Sequence, residues 1–236
     1  AAAGVKVAKH GNRAVSSKSG SADVLEALGI KTDLSPEESI KQLKEYNMSF
    51  LFAQQYHKAM KNVGKERKEL GTRTIFNLIG PLANPAPIRG QLMGIFDGDL
   101  VDKIGEVLVK LGIERGLVVH GEDGLDEITT TSSTKVCEIC NGKTKVYKIN
   151  PEDFGIEKVS IEEISGGTPE ENAEIILSIL KGEKGPKRDI VALNAGAALF
   201  AGKKVDSIND GFILANALID SGKAYKKYQQ LKELVI

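Results

Sequence analysis

Residues 91–121, QLMGIFDGDLVDKIGEVLVKLGIERGLVVHG, decide the fold class of this chain. Residues 91–96 are typical of a short strand, and apolar residues at helical spacing predict a helix over residues 100–111. Residues 116–120 are almost continuously apolar, as expected for a strand covered on both faces of its sheet. A strand, a helix and a buried strand in this order predict an α/β fold with a mainly parallel central sheet flanked by helices.

The sequence that follows this unit continues the pattern. Residues 136–140 and 143–149 predict a β-hairpin that turns through Asn141-Gly142, and the chain from residue 168 onward is mostly helical. Cys137 and Cys140 lie three positions apart on a predicted strand, so their side chains are expected on opposite faces. The pair therefore does not indicate a zinc or redox site.

The N-terminal region is less regular. We expect a strand at residues 4–8, helices at 22–28, 36–46 and 52–70, and a glycine- and proline-rich loop at 71–85. In terms of domains, residues 1–34 begin the α/β domain, residues 35–70 add helices to a small helical domain, and residues 71–236 complete the α/β domain.

Composition excludes several classes of protein. The 236 residues carry 32 basic and 32 acidic side chains, and this zero net charge argues against a nucleic-acid or anionic-membrane binder. Two cysteines exclude a disulfide scaffold and fit a reducing compartment such as the cytoplasm. No run of about 18 apolar residues, the length that spans a bilayer, occurs.

The segment from Lys9 to Ser21, KHGNRAVSSKSGS, contains three cations, two glycines and several hydroxyl groups between a predicted strand and helix. Such a mixture suits a phosphorylated ligand, because cations balance its charge and glycines let the backbone approach its oxygens. A solvated polar loop explains the composition equally well.

An acidic segment, residues 121–127, follows the buried strand. Ligands collect at the carboxyl ends of strands in open α/β sheets, and Asp126 and Glu127 supply the oxygen ligands that Mg²⁺ prefers. Taken alone, a solvated acidic turn is the simpler interpretation. A metal ion shared between this segment and a diphosphate at the basic segment would explain both clusters.

Arg67 and His57 form a third candidate pair. An arginine grips a planar carboxylate through two parallel hydrogen bonds. Residues of this kind on a lysine-rich helix are more often surface residues, and that alternative stays open.

Three segments in order, residues 9–29, 73–85 and 124–127, closely resemble the motifs of anthranilate phosphoribosyltransferases. The resemblance implies transfer of the phosphoribosyl group from 5-phosphoribosyl-1-diphosphate (PRPP) to anthranilate in tryptophan biosynthesis, with Mg²⁺ as cofactor, small-molecule substrates as partners and a homodimer as the full-length form. It covers the C-terminal two-thirds of such enzymes, which also have an N-terminal helical segment and a glycine-rich diphosphate loop. We therefore expect this chain alone to bind PRPP weakly and to turn over poorly.

The resemblance also implies residue roles, none of them an acid or base. PRPP is expected to contact Lys9, His10, Gly11, Asn12, Arg13, Ala14, Val15, Ser16, Ser17 and Ser21. Anthranilate is expected to contact His10, Asn12, Arg67, Gly80 and Pro81. Magnesium is expected at Asp126 and Glu127.

Two alternatives remain at this point. A pyrimidine nucleoside phosphorylase shares the expected fold and cleaves a ribosyl bond, although its signature is richer in threonine and glycine where this chain has Ser16-Ser17-Lys18-Ser19. A non-catalytic paralogue or fragment that only binds a partner is the other.

Overall fold

The computed structural model describes residues 1–14, 18–57 and 76–233. The chain divides into two compact units. The first unit contains residues 1–87, 166–176 and 226–236, and the second contains residues 88–165 and 177–225. The predicted boundaries after residues 34 and 70 stay a prediction.

The structure combines strands with a larger number of helical residues. The strands are β1 (Val7–Gly11), β2 (Met48–Phe52), β3 (Gly90–Gly94), β4 (Arg115–Gly121), β5 (Thr134–Cys140) and β6 (Lys143–Ile149). The α-helices are α1 (Ser21–Ala27), α2 (Pro36–Tyr46), α3 (Ala53–Tyr56), α4 (Phe76–Leu82), α5 (Val101–Lys110), α6 (Ile161–Ile164), α7 (Pro169–Leu180), α8 (Pro186–Ala201), α9 (Ile208–Asp220) and α10 (Lys223–Lys232). Short 3₁₀ turns occupy Gly98–Leu100 and Pro151–Phe154. No helix among the described residues is long and apolar enough to cross a membrane.

In the first unit, β1 and β2 form a parallel pair in which His10 lies opposite Leu51. Helix α2 begins where the sequence predicts, since the Ser35 hydroxyl accepts a hydrogen bond from the Glu38 amide and the Glu38 carboxylate accepts one from the Ser35 amide. A small apolar cluster of Ala22, Phe50 and Phe52 packs α1 against β2.

In the second unit, β3, β4, β5 and β6 form a sheet in that order. The β3–β4 pair is parallel, and β4–β5 and β5–β6 are antiparallel. The predicted hairpin is confirmed, with Asn141 and Gly142 at φ 50° and 76°, the left-handed region that a tight two-residue turn needs. The core contains apolar side chains of the sheet and of α8, among them Leu117, Val119, Val136, Leu193 and Phe200.

Helices α8 and α9 cross at a pair of glycines. A Cβ atom at Gly211 would overlap the backbone of Gly196, and one at Gly196 would overlap the backbone of Phe212. The two helices therefore touch backbone to backbone, because no side chain separates them at this point.

The α/β fold class is confirmed, and so are the helices at 22–28, 36–46 and 100–111 within a residue or two. The four-stranded sheet is mixed rather than mainly parallel, because the β5–β6 hairpin adds two antiparallel pairs to the one parallel pair. The first strand lies at Val7–Gly11 rather than at residues 4–8. Strand β2 was not predicted. The helix expected from about residue 52 begins as α3 at Ala53, but α3 ends at Tyr56, and part of the expected loop is helix α4. Residues 58–75 lie outside the described part of the chain.

The two cysteines of the hairpin are unpaired and differ in exposure. Cys137 is buried and Cys140 is exposed, as alternation along a strand predicts. Burial first, and then nearby Asp102 and Glu106, raise the pKa of the Cys137 thiol to about 11. The pair therefore does not form a metal or redox centre.

Candidate functional site

Strand β1 carries the first residues of the basic segment. Lys9 is exposed, and Gly11 ends the strand opposite Phe52. A Cβ atom at Gly11 would lie 2.9 Å from the Phe50 ring and 3.8 Å from the Cβ atom of Ser21. The absence of a side chain at Gly11 therefore lets the end of β1 lie directly against the Phe50 ring of β2.

One carboxylate oxygen joins Ala14 and Gly20, two described residues on either side of the segment 15–17. The Oδ2 atom of Asp23 accepts hydrogen bonds from the backbone amides of Ala14 and Gly20, each at 2.9 Å. These bonds, that of Ala14 first, lower the pKa of Asp23, and the nearby Arg13 guanidinium acts in the same direction. A Cβ atom at Gly20 would overlap the Ala14 amide nitrogen, so the loop ends meet without an intervening side chain.

Arg13 and Asn12 already have partners in the first unit. The Arg13 guanidinium lies 2.8 Å from Glu26 and 3.9 Å from Asp23, and it lies over the Phe52 ring. The Oδ1 atom of Asn12 accepts from the Arg13 amide at 2.9 Å and from Gln54 Nε2 at 3.3 Å. A ligand phosphate at Arg13 would compete with two acidic side chains.

The structure brings His10 together with Gly80, a residue of the motif segment 73–85. The Nδ1 atom of His10 lies 3.1 Å from the carbonyl oxygen of Gly80, across 70 positions of sequence. Because a carbonyl only accepts, Nδ1 carries the proton and Nε2 is left as an acceptor. That Nε2 atom is buried and has no hydrogen-bond partner among the described residues.

His57 adjoins the same place. Its ring meets that of His10 edge to face, with centroids 5.0 Å apart. Burial first, and then the charge that His57 would carry, lower the pKa of His10, while the hydrogen bond to Gly80 acts in the opposite direction. A neutral His10 imidazole is thus favoured beside Gly80.

A second hydrogen bond joins the motif segment 73–85 to strand β1. The Nδ2 atom of Asn84 donates to the carbonyl oxygen of Ala8 at 3.1 Å, one residue before Lys9. Pro81, the other predicted pocket residue of this motif, is exposed on α4. Of the other predicted site residues, Ser21 is exposed at the first position of α1, and Val15, Ser16, Ser17 and Arg67 lie outside the described residues.

The acidic segment lies in the second unit and is organised by Asp123. Its carboxylate accepts hydrogen bonds from the hydroxyls of Thr129 and Thr131 and from the Leu125 amide. Burial acts to raise the pKa of Asp123, but these hydrogen bonds outweigh it and the net effect lowers the pKa. The ionised Asp123 carboxylate therefore stabilises the conformation of this loop through hydrogen bonds within it.

Asp126 and Glu127 are both exposed at the end of this loop. The backbone of Asp126 rests on β3, where a Cβ atom at Gly94 would overlap the Asp126 carbonyl oxygen. Among residues 1–14, 18–57 and 76–233, no group of three or more His, Cys, Asp or Glu side chains could hold a metal ion. Two adjacent carboxylates still fit Mg²⁺, which commonly takes one or two of them together with water and substrate phosphates.

Comparison with known proteins gives a consistent result. Residues 1–225 match the family described as "Glycosyl transferase family, a/b domain". The chain is 62% identical over 236 residues to the anthranilate phosphoribosyltransferase of Clostridium beijerinckii, covering all of this chain and 70% of that protein. It is 58% identical over 232 residues to the enzyme of the same name from Thermoanaerobacter sp., covering 98% of this chain and 69% of that protein.

Solved structures agree. The crystal structure of anthranilate phosphoribosyltransferase from Thermus thermophilus matches with a TM-score of 0.92 and 45% identity, over 98% of this chain and 69% of that one. The Saccharomyces cerevisiae enzyme in complex with PRPP and Mg matches with a TM-score of 0.88 and 26% identity, over 98% of this chain and 66% of that one. The chain therefore belongs to the anthranilate phosphoribosyltransferase family.

Proposed function

We propose that this chain transfers the phosphoribosyl group of PRPP to anthranilate, giving N-(5-phosphoribosyl)anthranilate and diphosphate in tryptophan biosynthesis. Family membership supports this pentosyltransferase activity. The structural observation that carries it is the contact between His10 and Gly80, which joins two motif segments far apart in sequence.

The chemistry asks for positioning more than for a strong base. The amine nitrogen of anthranilate forms a bond to ribose C1 as the bond from C1 to the diphosphate oxygen breaks, and the nitrogen then loses a proton. An aromatic amine is already neutral near pH 7, so its lone pair is available for attack. Holding the two substrates in line supplies much of the acceleration in such a case.

We propose that the amine of anthranilate binds to His10. In the neutral tautomer set by Gly80, the Nε2 atom is a buried acceptor without a protein partner in the described part of the chain. A hydrogen bond from the anthranilate amine to this atom would orient the nitrogen lone pair. Arg67 would hold the anthranilate carboxylate through paired hydrogen bonds, and Asn12 and the Gly80-Pro81 turn would line the pocket.

PRPP is assigned to the basic segment, residues 9–17 with Ser21. The cationic Lys9 and Arg13 would balance phosphate charge. Asp126 and Glu127 would hold Mg²⁺, which supplies charge stabilisation for a departing diphosphate when it is bound. A homodimer and a cytoplasmic location complete the proposal, the latter supported by the unpaired cysteines.

The test is to follow the loss of anthranilate fluorescence with the purified chain, PRPP and Mg²⁺. Slow consumption that requires both PRPP and Mg²⁺ is expected from this chain alone, and Arg67→Ala is expected to abolish it. Arg89→Ala is the matched control, since Arg89 is an exposed arginine paired with Glu114 and should leave the rate unchanged. Phosphate-dependent cleavage of thymidine or uridine, with no use of anthranilate, would instead favour a nucleoside phosphorylase.

A further inference from the structure

Asn172, a residue of α7, reaches the basic segment. Its Nδ2 atom donates a hydrogen bond of 2.8 Å to the hydroxyl oxygen of Ser19, although 153 positions separate the two residues. Both belong to the first unit. Ser19 lies between Ser17 and Ser21, within the loop assigned to PRPP, and neither Ser19 nor Asn172 is among the contacts that the family resemblance implies.

The orientation of the Asn172 amide is fixed by its own turn. Its Oδ1 atom accepts from the Gly167 amide at 2.9 Å, and its Nδ2 atom also donates to the Gly167 carbonyl at 3.1 Å. A Cβ atom at Gly166 would overlap Oδ1, so this turn closes around the amide only because glycine stands there. With both ends of the amide bonded, Nδ2 is the atom that faces Ser19.

Described residues on either side of the segment 15–17 are thus held from two directions. Asp23, on α1, binds the amides of Ala14 and Gly20. Asn172, on a distant helix, binds the residue next to Gly20. Ordering a loop at the moment of binding costs free energy, and a loop that is already held in its bound conformation avoids part of that cost.

We propose that Asn172 is a positioning residue for PRPP: by holding Ser19, it keeps the segment before α1 in the conformation that receives the phosphate groups. The proposal rests on the proposed function. It predicts that removing the Asn172–Ser19 bond weakens PRPP binding and raises the KM for PRPP, while the KM for anthranilate changes little.

The experiment compares Asn172→Leu, Ser19→Ala and the double variant with the wild-type chain. PRPP affinity is measured by calorimetry, and hydrogen exchange of the Gly20 amide is measured in the ligand-free protein. Each single variant should weaken PRPP binding about five- to tenfold, the range that one hydrogen bond supports, and should speed exchange at Gly20. The double variant should be no weaker than the singles, because both remove the same bond.

Glu171→Gln is the matched control. It alters the same helical turn, where the Glu171 carboxylate accepts from the Thr168 amide, and it has no bond to Ser19. It should leave PRPP affinity and Gly20 exchange unchanged. If Asn172→Leu fails to fold, Ser19→Ala gives the same test from the loop side.

Failure has two distinguishable forms. If the wild-type chain binds PRPP and the single variants bind it equally well, or if their losses add in the double variant, the positioning role is overturned. Unchanged exchange at Gly20 overturns it too, independently of any ligand. If the wild-type chain binds no PRPP while exchange at Gly20 responds as expected, the proposed function fails, and the assignment to PRPP fails with it.

Discussion

The Nδ1 atom of His10 and the carbonyl oxygen of Gly80 are 3.1 Å apart, and this contact fixes the tautomer of the neutral imidazole as well as its position. The pKa of His10 is lowered, by burial first and by the nearby His57 second. Folding therefore favours the neutral ring. The ordinary value is 6.5, so between that pH and the lower pKa of the folded protein the unfolded chain binds a proton that the folded chain does not.

The first prediction follows from this difference in proton binding between the unfolded and the folded chain. The free energy of unfolding should fall as the pH is lowered from 7 to 5, and His10→Asn should remove part of this dependence. Urea unfolding at a series of pH values measures the effect. An NMR titration that placed the pKa of His10 at or above 6.5 would contradict the prediction.

The second prediction concerns Asp23. Asp23→Asn removes the anionic acceptor shared by the Ala14 and Gly20 amides, and we expect a loss of about 1–2 kcal/mol in the free energy of unfolding at pH 7. Because the pKa of Asp23 is lowered from 3.8, the stabilisation is present above that pH and is lost as the pH falls through the folded value. The wild-type protein and the variant should therefore converge in acid.

Glu26→Gln is the control for Asp23→Asn. It removes an ion pair with Arg13 and leaves both loop amides bonded. Exposed pairs of this kind contribute about 0.2–1 kcal/mol, so the loss should be smaller. An equal loss in the two variants would show that the ion pair, rather than the bonds to the loop amides, carries the effect.

The third prediction concerns which acidic residues of the second unit affect the Mg²⁺ requirement. Asp126→Asn with Glu127→Gln should raise the Mg²⁺ concentration that half-maximal activity requires, and should leave the melting temperature nearly unchanged because both side chains are exposed. Glu122→Gln, an exposed acid of the same loop that pairs with Lys148, should leave the Mg²⁺ requirement unchanged. A similar shift in both variants would indicate a general charge effect.

The fourth prediction tests the helix crossing. Gly211→Ala places a Cβ atom inside the backbone of Gly196, so α8 and α9 must separate, and we expect a loss of about 1–3 kcal/mol or more. Gly222→Ala is a useful comparison, because nothing lies within 4 Å of its Cβ position and only its positive φ of 71° is strained. Urea unfolding should show the larger loss for Gly211→Ala.

Local signals were sufficient for much of the fold. The start of α2 at Pro36 and the Asn141-Gly142 turn depend on neighbouring residues, and both are found as predicted. Strand β2 was missed because its five residues are almost all apolar, and so short a run does not distinguish strand from helix. Helix α4 was missed because Gly80 and Pro81 lie inside it. The helix ends at Leu82, so the proline disrupts only its last turn.

For the candidate site, the sequence allowed prediction of the residues that belong to motifs, but not of the contacts between distant residues. The positions of Asp126 and Glu127 after a buried strand follow from the sequence, and the structure has them exposed there. The contacts of His57 with His10 and of Asn172 with Ser19 depend on long-range packing. A lone asparagine at the start of an acidic helix gives no local signal of such a contact.

Gly94 contributes no functional group, yet the Asp126 backbone rests directly against it. A substitution there would move the two acids without altering them, and in an activity screen it would resemble the loss of a metal ligand. Position 94 therefore has room for a backbone but not for a side chain. If Asp126 and Glu127 bind Mg²⁺, calorimetry of Mg²⁺ binding would detect the effect of a substitution at Gly94 more directly than a melting curve.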